Sequence, residues 1–498
     1  MADIEAVSAQ LKAATTRITA LEELMGSEGK PGVAFLAGSA TDVTVNSGDT
    51  AWILASTCLV LMMTIPGLAL FYAGMSRAQN VLSTVMQSFA ITCFVSMLWL
   101  MLGYSLAFGL GNDYIGGGEK FWFQGDNVTG KPILPGSNSG TIPEALFCMF
   151  QLTFAIITCA IITGSVAERM KFSSLLVFIF FWHLLIYCPI AHWEWGGGFM
   201  GNMGVLDFAG GDVVHISSGV SGLVAAIILG KRRAFGAGAE LPPHNVLLTF
   251  LGASLLWVGW FGFNAGSALT SGGSASMAML VTHLAASAGG MSWMITEWAL
   301  KGKPTVLGIV SGAISGLVVI TPGAGYVDQT GAFFMGLLGG VGCYAGIQLK
   351  HLAGFDDALD AFGVHGVGGI IGGVLTGCFA RPEIGGASGA FYGNGEQLGI
   401  QCLGILITAG YSAAGTAILL LGLKYTIGIR VSESDEDAGL DISEHGEALY
   451  ENQGTGKPLD MPVQQQQAPA PSFMVPMPGP YGQPTLSPYG QPYMMQGF

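Results

Sequence analysis

Charge is scarce in this chain: Asp, Glu, Lys and Arg make up 10% of its 498 residues. A soluble domain carries about a quarter. With 51% hydrophobic residues, that scarcity excludes an ordinary soluble fold and points to a membrane protein. Nucleotide chemistry is missing as well. No segment follows the G-x-x-x-x-G-K-[ST] pattern, and Gly-Lys-Pro at 29–31 and 456–458 lacks the Ser or Thr. This argues against an ATP-driven pump. The eight cysteines (58, 93, 148, 159, 188, 343, 378, 402) lie in apolar runs and form no C-x-x-C pair. They read as packing thiols, so neither a disulfide framework nor a zinc site is expected. No metal and no cofactor is expected at any site. Residues 1–30 contain no apolar core of a signal peptide. The net charge of −14 reflects acidic ends such as SESDEDAGLDISEHGE at 432–447, and implies no nucleic-acid partner.

What is present is length and apolarity. A helix needs about 20 apolar residues to cross the hydrocarbon core, and roughly eleven stretches qualify. They lie near 51–73, 80–109, 143–165, 172–191, 213–230, 245–264, 276–300, 304–321, 331–350, 362–380 and 398–428. The 77 glycines fall mostly inside these stretches, where small residues let helices approach closely. Arg77, Arg169, Lys171, Lys231–Arg233, Lys301, Lys303 and Lys350 occupy the loops of one side. The positive-inside rule makes that side cytoplasmic, with the N-terminus outside and the C-terminus inside. Trp193 and Trp195 then lie at the outer face.

Five spans, five more and a last one give the natural division. His215 falls in the fifth and His365 in the tenth, each eight residues after an aspartate, Asp207 and Asp357. Matching positions in oppositely directed halves predict an inverted repeat with the functional site near the midplane. The expected fold is therefore an all-α polytopic membrane protein of eleven helices in a 5+5 inverted repeat plus one. The expected domain limits are an outer N-terminal segment (1–49), the transmembrane domain (50–430), a cytoplasmic segment (431–453) and a disordered Pro/Gln-rich tail (454–498). The tail repeats PYGQP at 480–484 and 488–492. Ile4, Leu11, Ile18 and Met25 interleave with Val7, Ala14 and Leu21. This heptad pattern suits either a short coiled coil or a solitary amphipathic helix. Asn127-Val-Thr129 is a glycosylation sequon whose meaning depends on a eukaryotic host.

Titratable residues are costly in lipid and mark polar routes. A lone membrane histidine most often bonds one helix to another, but a matched pair suggests a path. Neutral imidazoles can pass a small hydrogen-bonding solute or relay a proton. Haem ligation by the pair is a rival with no supporting motif. Phe150 and Phe154 share a helical face, as do Trp260, Phe263 and Ser267. Each stripe alone reads as core. Together with Trp195, they suggest a cation–π cage for a small ammonium-type cation, with Ser267 as an acceptor and aromatic rings beneath as a constriction. Asp207 reads as a helix cap that can also attract a cation.

The segments IPGLALFYAGMSRAQNVL, FWHLLIYCPIAHWEWGGG, LDFAGGDVVHISSG, GWFGFNAGSA, EWALKGKPTVLGIVSGAISGLV, DAFGVHGVGGIIGG and GLDISEHGEALY resemble the Amt/Mep/Rh ammonium transporter family over about residues 50 to 450. The resemblance implies an eleven-helix protomer in a homotrimer, each subunit with its own pathway. By position in those motifs it makes Phe154, Trp195 and Ser267 the outer ammonium site, and Phe150 and Phe263 a stacked gate. His215 and His365 become the twin-histidine pair, and Asp207 the carboxylate near the outer site. Retention of both Trp195 and Ser267 resembles the Amt branch rather than Rh. GLDISEHGEALY at 439–450 resembles the family's regulatory segment, which packs beneath a neighbouring subunit. A PII-type protein on the cytoplasmic face, or phosphorylation at Ser443, is the implied control. The expected function is ammonium and methylammonium transport across the lipid membrane of the cell, with no enzyme activity. The alternatives are an ammonium sensor with a signalling tail and, weakened by Trp195 and Ser267, a gas or urea channel.

Overall fold

The computed structural model describes residues 44–124, 140–235 and 241–449. Among them, eleven helices are long and apolar enough to cross a membrane. They are α1 (Ser47–Met75), α2 (Ala78–Phe108), α3 (Glu144–Val166), α4 (Phe172–Met203), α5 (Gly211–Leu229), α6 (Val246–Ala265), α7 (Gly273–Lys301), α8 (Val306–Gly323), α9 (Gln329–Ala353), α10 (Phe362–Phe379) and α11 (Gly395–Thr426). No strand occurs among the described residues. The eleven apolar stretches of the sequence correspond one to one with these helices. Two limits differ notably. Asn46 caps the backbone N–H groups of Gly48 and Asp49, so α1 starts at Ser47. Beyond residue 191, α4 continues through Trp195, bends at the glycines 196–198 and adds a last turn, Phe199–Met203. The heptads of 1–30, the sequon at Asn127 and the tail from 454 lie outside the described residues.

The spans are not uniform α-helix. Wide π-type turns occur at Met63–Leu68, Trp99–Gly103, His183–Tyr187, Gly211–Ile216, Phe261–Ala265 and Phe362–Gly366. Such turns expose backbone groups and gather at functional positions. Two of the six carry His215 and His365, and a third carries Phe263. Because α5 and α10 are five spans apart, they cross in opposite directions. They meet where a side chain on Gly219 would strike the Gly366 backbone nitrogen, a Cβ there lying 2.2 Å from it. Only glycine permits that approach, and it brings the two histidine turns together.

The loops at the Arg/Lys-rich end are tied by a buried ion network. The Glu168 carboxylate accepts from Arg77 Nε at 2.7 Å and Arg232 Nη1 at 3.1 Å, and Asp356 pairs with Arg232 Nε at 2.9 Å. Arg169 is fully buried and donates to the carbonyls of Ser165, Ala167, Gly230 and Asp356. Burial works against the charge of Glu168, but Arg232 and Arg77 outweigh it and hold its carboxyl below the ordinary range. Asp356 is likewise held low, because hydrogen bonding and attraction from Arg232, with Arg169 alongside, exceed the penalty of burial. Two short helices follow α11, α12 (Glu433–Ala438) and α13 (Leu440–His445). They dock on the same loops. Leu440 N–H donates to Asn80 Oδ1, Ser83 N–H to Asp441 Oδ1, Phe172 N–H to Glu444 Oε2 and Arg233 N–H to Glu436 Oε1. The segment read as regulatory thus seats against this chain's own inner loops.

Candidate functional site

Asp207 organises the outer end of the site. Its Oδ1 accepts from the N–H groups of Gly210 (2.7 Å) and Gly211 (2.6 Å), and its Oδ2 from Asp212 (2.8 Å) and Val213 (3.1 Å). These are the orphan donors of the first turn of α5, which a capping acceptor must satisfy. The carbonyl of the same residue accepts from Trp195 Nε1 at 2.8 Å. One residue therefore fixes both the helix that carries His215 and the orientation of the outer indole.

Inward from Trp195 lies a column of rings. Phe154 meets Trp195 edge-on, with centroids 5.9 Å apart and an interplanar angle of 87°. Phe154 stacks on Phe263 at 4.3 Å and 23°. Phe150 contacts Phe154 edge-on at 5.0 Å, and its ring lies against Gly266, 2.9 Å from where a Cβ there would stand. The stacked pair is thus Phe154 with Phe263, not Phe150 with Phe263 as the resemblance had assigned. The reason is depth. The first turn of α3 is at the outer end, so Phe150 sits one turn above Phe154, level with Gly266. Trp195 and Phe150 both meet Phe154 edge-on, and it is Phe154 that carries the stack on Phe263. Ser267 Oγ donates to the Phe263 carbonyl at 2.8 Å. Having given its proton, the oxygen presents lone pairs, the acceptor that an ammonium N–H requires.

Below the stacked rings, His215 and His365 approach through their Nδ1 atoms at 3.1 Å, with ring centroids 5.2 Å apart and nearly parallel at 22°. Two neutral imidazoles can share that contact only if one Nδ1 carries the proton and the other accepts it. Their Nε2 atoms then differ in the opposite sense, one bare and one protonated. His215 is 1% exposed, and its Nε2 has no hydrogen-bond partner among the described residues. His215 lines a narrow apolar cavity of about 10 Å³ beside Phe263, Trp260 and Ile314, room for about one water-sized molecule. His365 lines this cavity and also a larger one of about 90 Å³ that extends to Lys301 and Thr305. The sequence reading placed Trp260 with Phe263 and Ser267 in a stripe that reads as core alone and as part of a cage with Trp195. In the structure it stacks on His215 at 5.5 Å and 21°, and its indole is anchored by Thr321 Oγ1 at 3.0 Å. Its position three residues before Phe263, on the same face, was the available signal.

The arrangement is a ring-capped acceptor site, a stacked aromatic constriction, a buried imidazole pair and an inner cavity, in that order. The model of the Ammonium Transporter Family matches residues 51–450. The chain is 50% identical over 414 residues to the ammonium transporter of Aquifex aeolicus, covering 82% of this chain and 95% of that protein. It is 49% identical over 408 residues to the ammonium transporter of Bacillus subtilis, covering 81% and 99%. Among solved structures, Mep2 of Saccharomyces cerevisiae aligns with a TM-score of 0.74 at 37% identity, over 79% of this chain and 89% of that one. A structure titled Sensor Amt Protein aligns with the same TM-score at 29% identity, over 80% and 98%.

Proposed function

Since this chain belongs to the ammonium transporter family and is a multi-pass ammonium transporter of the cell membrane, we propose that it recruits NH4+ at the outer rings and passes ammonia inward along the histidines. The observation that carries this reading is the continuity of the column. Trp195 and Phe150 each meet Phe154, Phe154 stacks on Phe263, Phe263 lies against His215, and His215 meets His365.

Magnitudes favour removal of the proton before the apolar segment. Taking a small cation from water into a low-dielectric medium costs several kcal/mol, and on the order of 20 kcal/mol in the Born limit. One cation–π contact returns about 0.5–2 kcal/mol. Rings and the Ser267 oxygen therefore hold ammonium at the entrance but do not carry it through. Removing a proton from an amine in the lysine pKa range at pH 7 costs on the order of 5 kcal/mol, and the neutral product keeps its hydrogen-bonding capacity. The unpartnered Nε2 of His215 offers ammonia a hydrogen bond in an otherwise apolar cavity. The proton either stays outside or follows along the imidazole pair.

A sensor role is the second reading. It draws on the neighbour titled a sensor at 29% identity, and the 50% and 49% identities to proteins called ammonium transporters favour transport. A homotrimeric assembly, contact with membrane lipid and control by a PII-type protein at the inner face belong to the same proposal and rest on the family resemblance.

The test is an ammonium or methylammonium jump on proteoliposomes. Trp195→Leu should raise the half-saturating concentration about tenfold, the factor that roughly 1.4 kcal/mol of cation–π attraction provides. An unchanged half-saturation would reject the outer cage.

A further inference from the structure

The inner end of the route holds a second arrangement suited to a small ammonium. The 90 Å³ cavity that begins at His365 is bounded further in by Trp293, Tyr344, Glu297, Lys301 and Thr305. Trp293 and Tyr344 pack edge-to-face at 5.4 Å and 88°. Glu297 is buried at 4% exposure. Its Oε2 accepts from the backbone N–H and the hydroxyl of Thr305, at 3.1 and 2.9 Å. Its Oε1 accepts from Lys301 Nζ at 3.3 Å, and that same ammonium lies 5.7 Å from the centroid of the Tyr344 ring.

An i,i+4 pair at a helix end is ordinarily a weak surface contact. This one differs in its surroundings. The carboxylate is fixed and buried, an aromatic face stands opposite it, and both border the cavity beneath the histidines. The lysine side chain itself is 57% exposed and so exchanges readily with water. A primary ammonium on a flexible tether is already held by one carboxylate oxygen and one ring, the pair of partners a free small ammonium would select.

We propose that Glu297 and Tyr344 form an inner ammonium site at the mouth of the pathway, and that Lys301 occupies it as a tethered competitor. The inference rests on the transport reading above. Ammonia that leaves His365 takes a proton from water or hydronium of the inner solution, which reaches the exposed Lys301 end of this cavity, and is held as the cation until it exchanges with that solution. Ammonium arriving from the inner face must displace Lys301 first. The side chain thus biases the two faces, leaving entry from outside unopposed and weakening capture from inside.

The experiment compares half-saturating ammonium for jumps applied to the inner face (inside-out vesicles) and to the outer face (right-side-out vesicles). Lys301→Met keeps the stem and removes the charge. It should lower the inner-face value roughly threefold, about what one exposed cation–π contact contributes, and leave the outer-face value unchanged. Adding Tyr344→Leu to that variant should raise the inner-face value again, while Tyr344→Phe, which keeps the ring, should not. An inner-face value that Lys301→Met leaves unchanged or raises, or an equal shift at both faces, would overturn the inner site while wild-type transport stands. Absence of ammonium-driven flux in the wild type would overturn the transport reading, and the inner site with it.

Discussion

Asp207 at the start of α5 accepts four backbone N–H groups, whereas Asp357 before α10 accepts two, from Phe362 and Gly363, with a hydroxyl from Ser165. The last spans of the two half-repeats are therefore preceded by the same residue in the same place, but the two aspartates are embedded differently. Around Asp207 the polypeptide itself supplies the support: a glycine turn with Gly210 in the left-handed region (φ 116°) and the Trp195 indole on the Asp207 carbonyl. Around Asp357 the support is ionic. Its neighbour Asp356 pairs with Arg232, and Asp360 pairs with Lys350 at 2.5 Å. The histidines differ accordingly. His215 is enclosed beneath Trp260 and Phe263, while His365 opens onto the inner cavity. The outer half is built to hold a fixed geometry, and the inner half is exposed to charge, pH and the inner solution.

The largest predicted effect separates the two aspartates. Asp207→Ala leaves four buried donors without an acceptor, each costing about 1–3 kcal/mol. The sum rivals the 5–15 kcal/mol that holds a typical protein together. The expected outcome is little or no monodisperse protein on size-exclusion chromatography in detergent. Asp357→Ala should yield folded protein with a lowered thermal transition. Equal losses for the two variants would erase the contrast drawn here.

A smaller effect concerns acid. Glu168 and Asp356 have carboxyls held below their ordinary values, 4.5 and 3.8. The native state therefore binds fewer protons than the unfolded one at acid pH. The stabilisation is fully present above those ordinary values and is lost as pH falls through the lower, folded-state ones. Thermal transitions measured from pH 7 down to about pH 3 should show this loss in the wild type. Glu168→Gln should be less stable at neutral pH and flatter towards acid. A profile as steep as that of the wild type would show that the inner network does not set the acid limb.

Much of this architecture was legible in the residues. Span length and apolarity mark all eleven helices, because the bilayer imposes both. The shared Asp-to-His spacing marks the two half-repeats. Depth across helices was less accessible. The four-residue spacing of Phe150 and Phe154 places them on one face of α3 but says nothing of which one faces Phe263, because that register depends on the wide turn at Phe261–Ala265 in α6. The assignment carried over by resemblance put Phe150 in the stack for this reason, where the structure has Phe154. Trp260 was grouped with Phe263 and Ser267 because a shared helical face looks the same whether it packs in a core, lines a cage or meets a histidine. The inner network joins residues 77, 168, 169, 232 and 356, drawn from four loops with only 168 and 169 adjacent in sequence. No local pattern reports such a cluster, although the one-sided distribution of basic residues does point to the correct end of the molecule.

The central claim is that ammonia passes along His215 and His365 after the proton is shed above the Phe154/Phe263 stack. It is tested most directly by His215→Ala in proteoliposomes, with current and internal pH recorded together after an ammonium jump. The account predicts a correctly assembled protein that binds ammonium at the outer site and has lost or altered conduction, with a stronger defect than His365→Ala because His215 is the enclosed partner. Ammonium flux and current matching the wild type at every pH measured would contradict it.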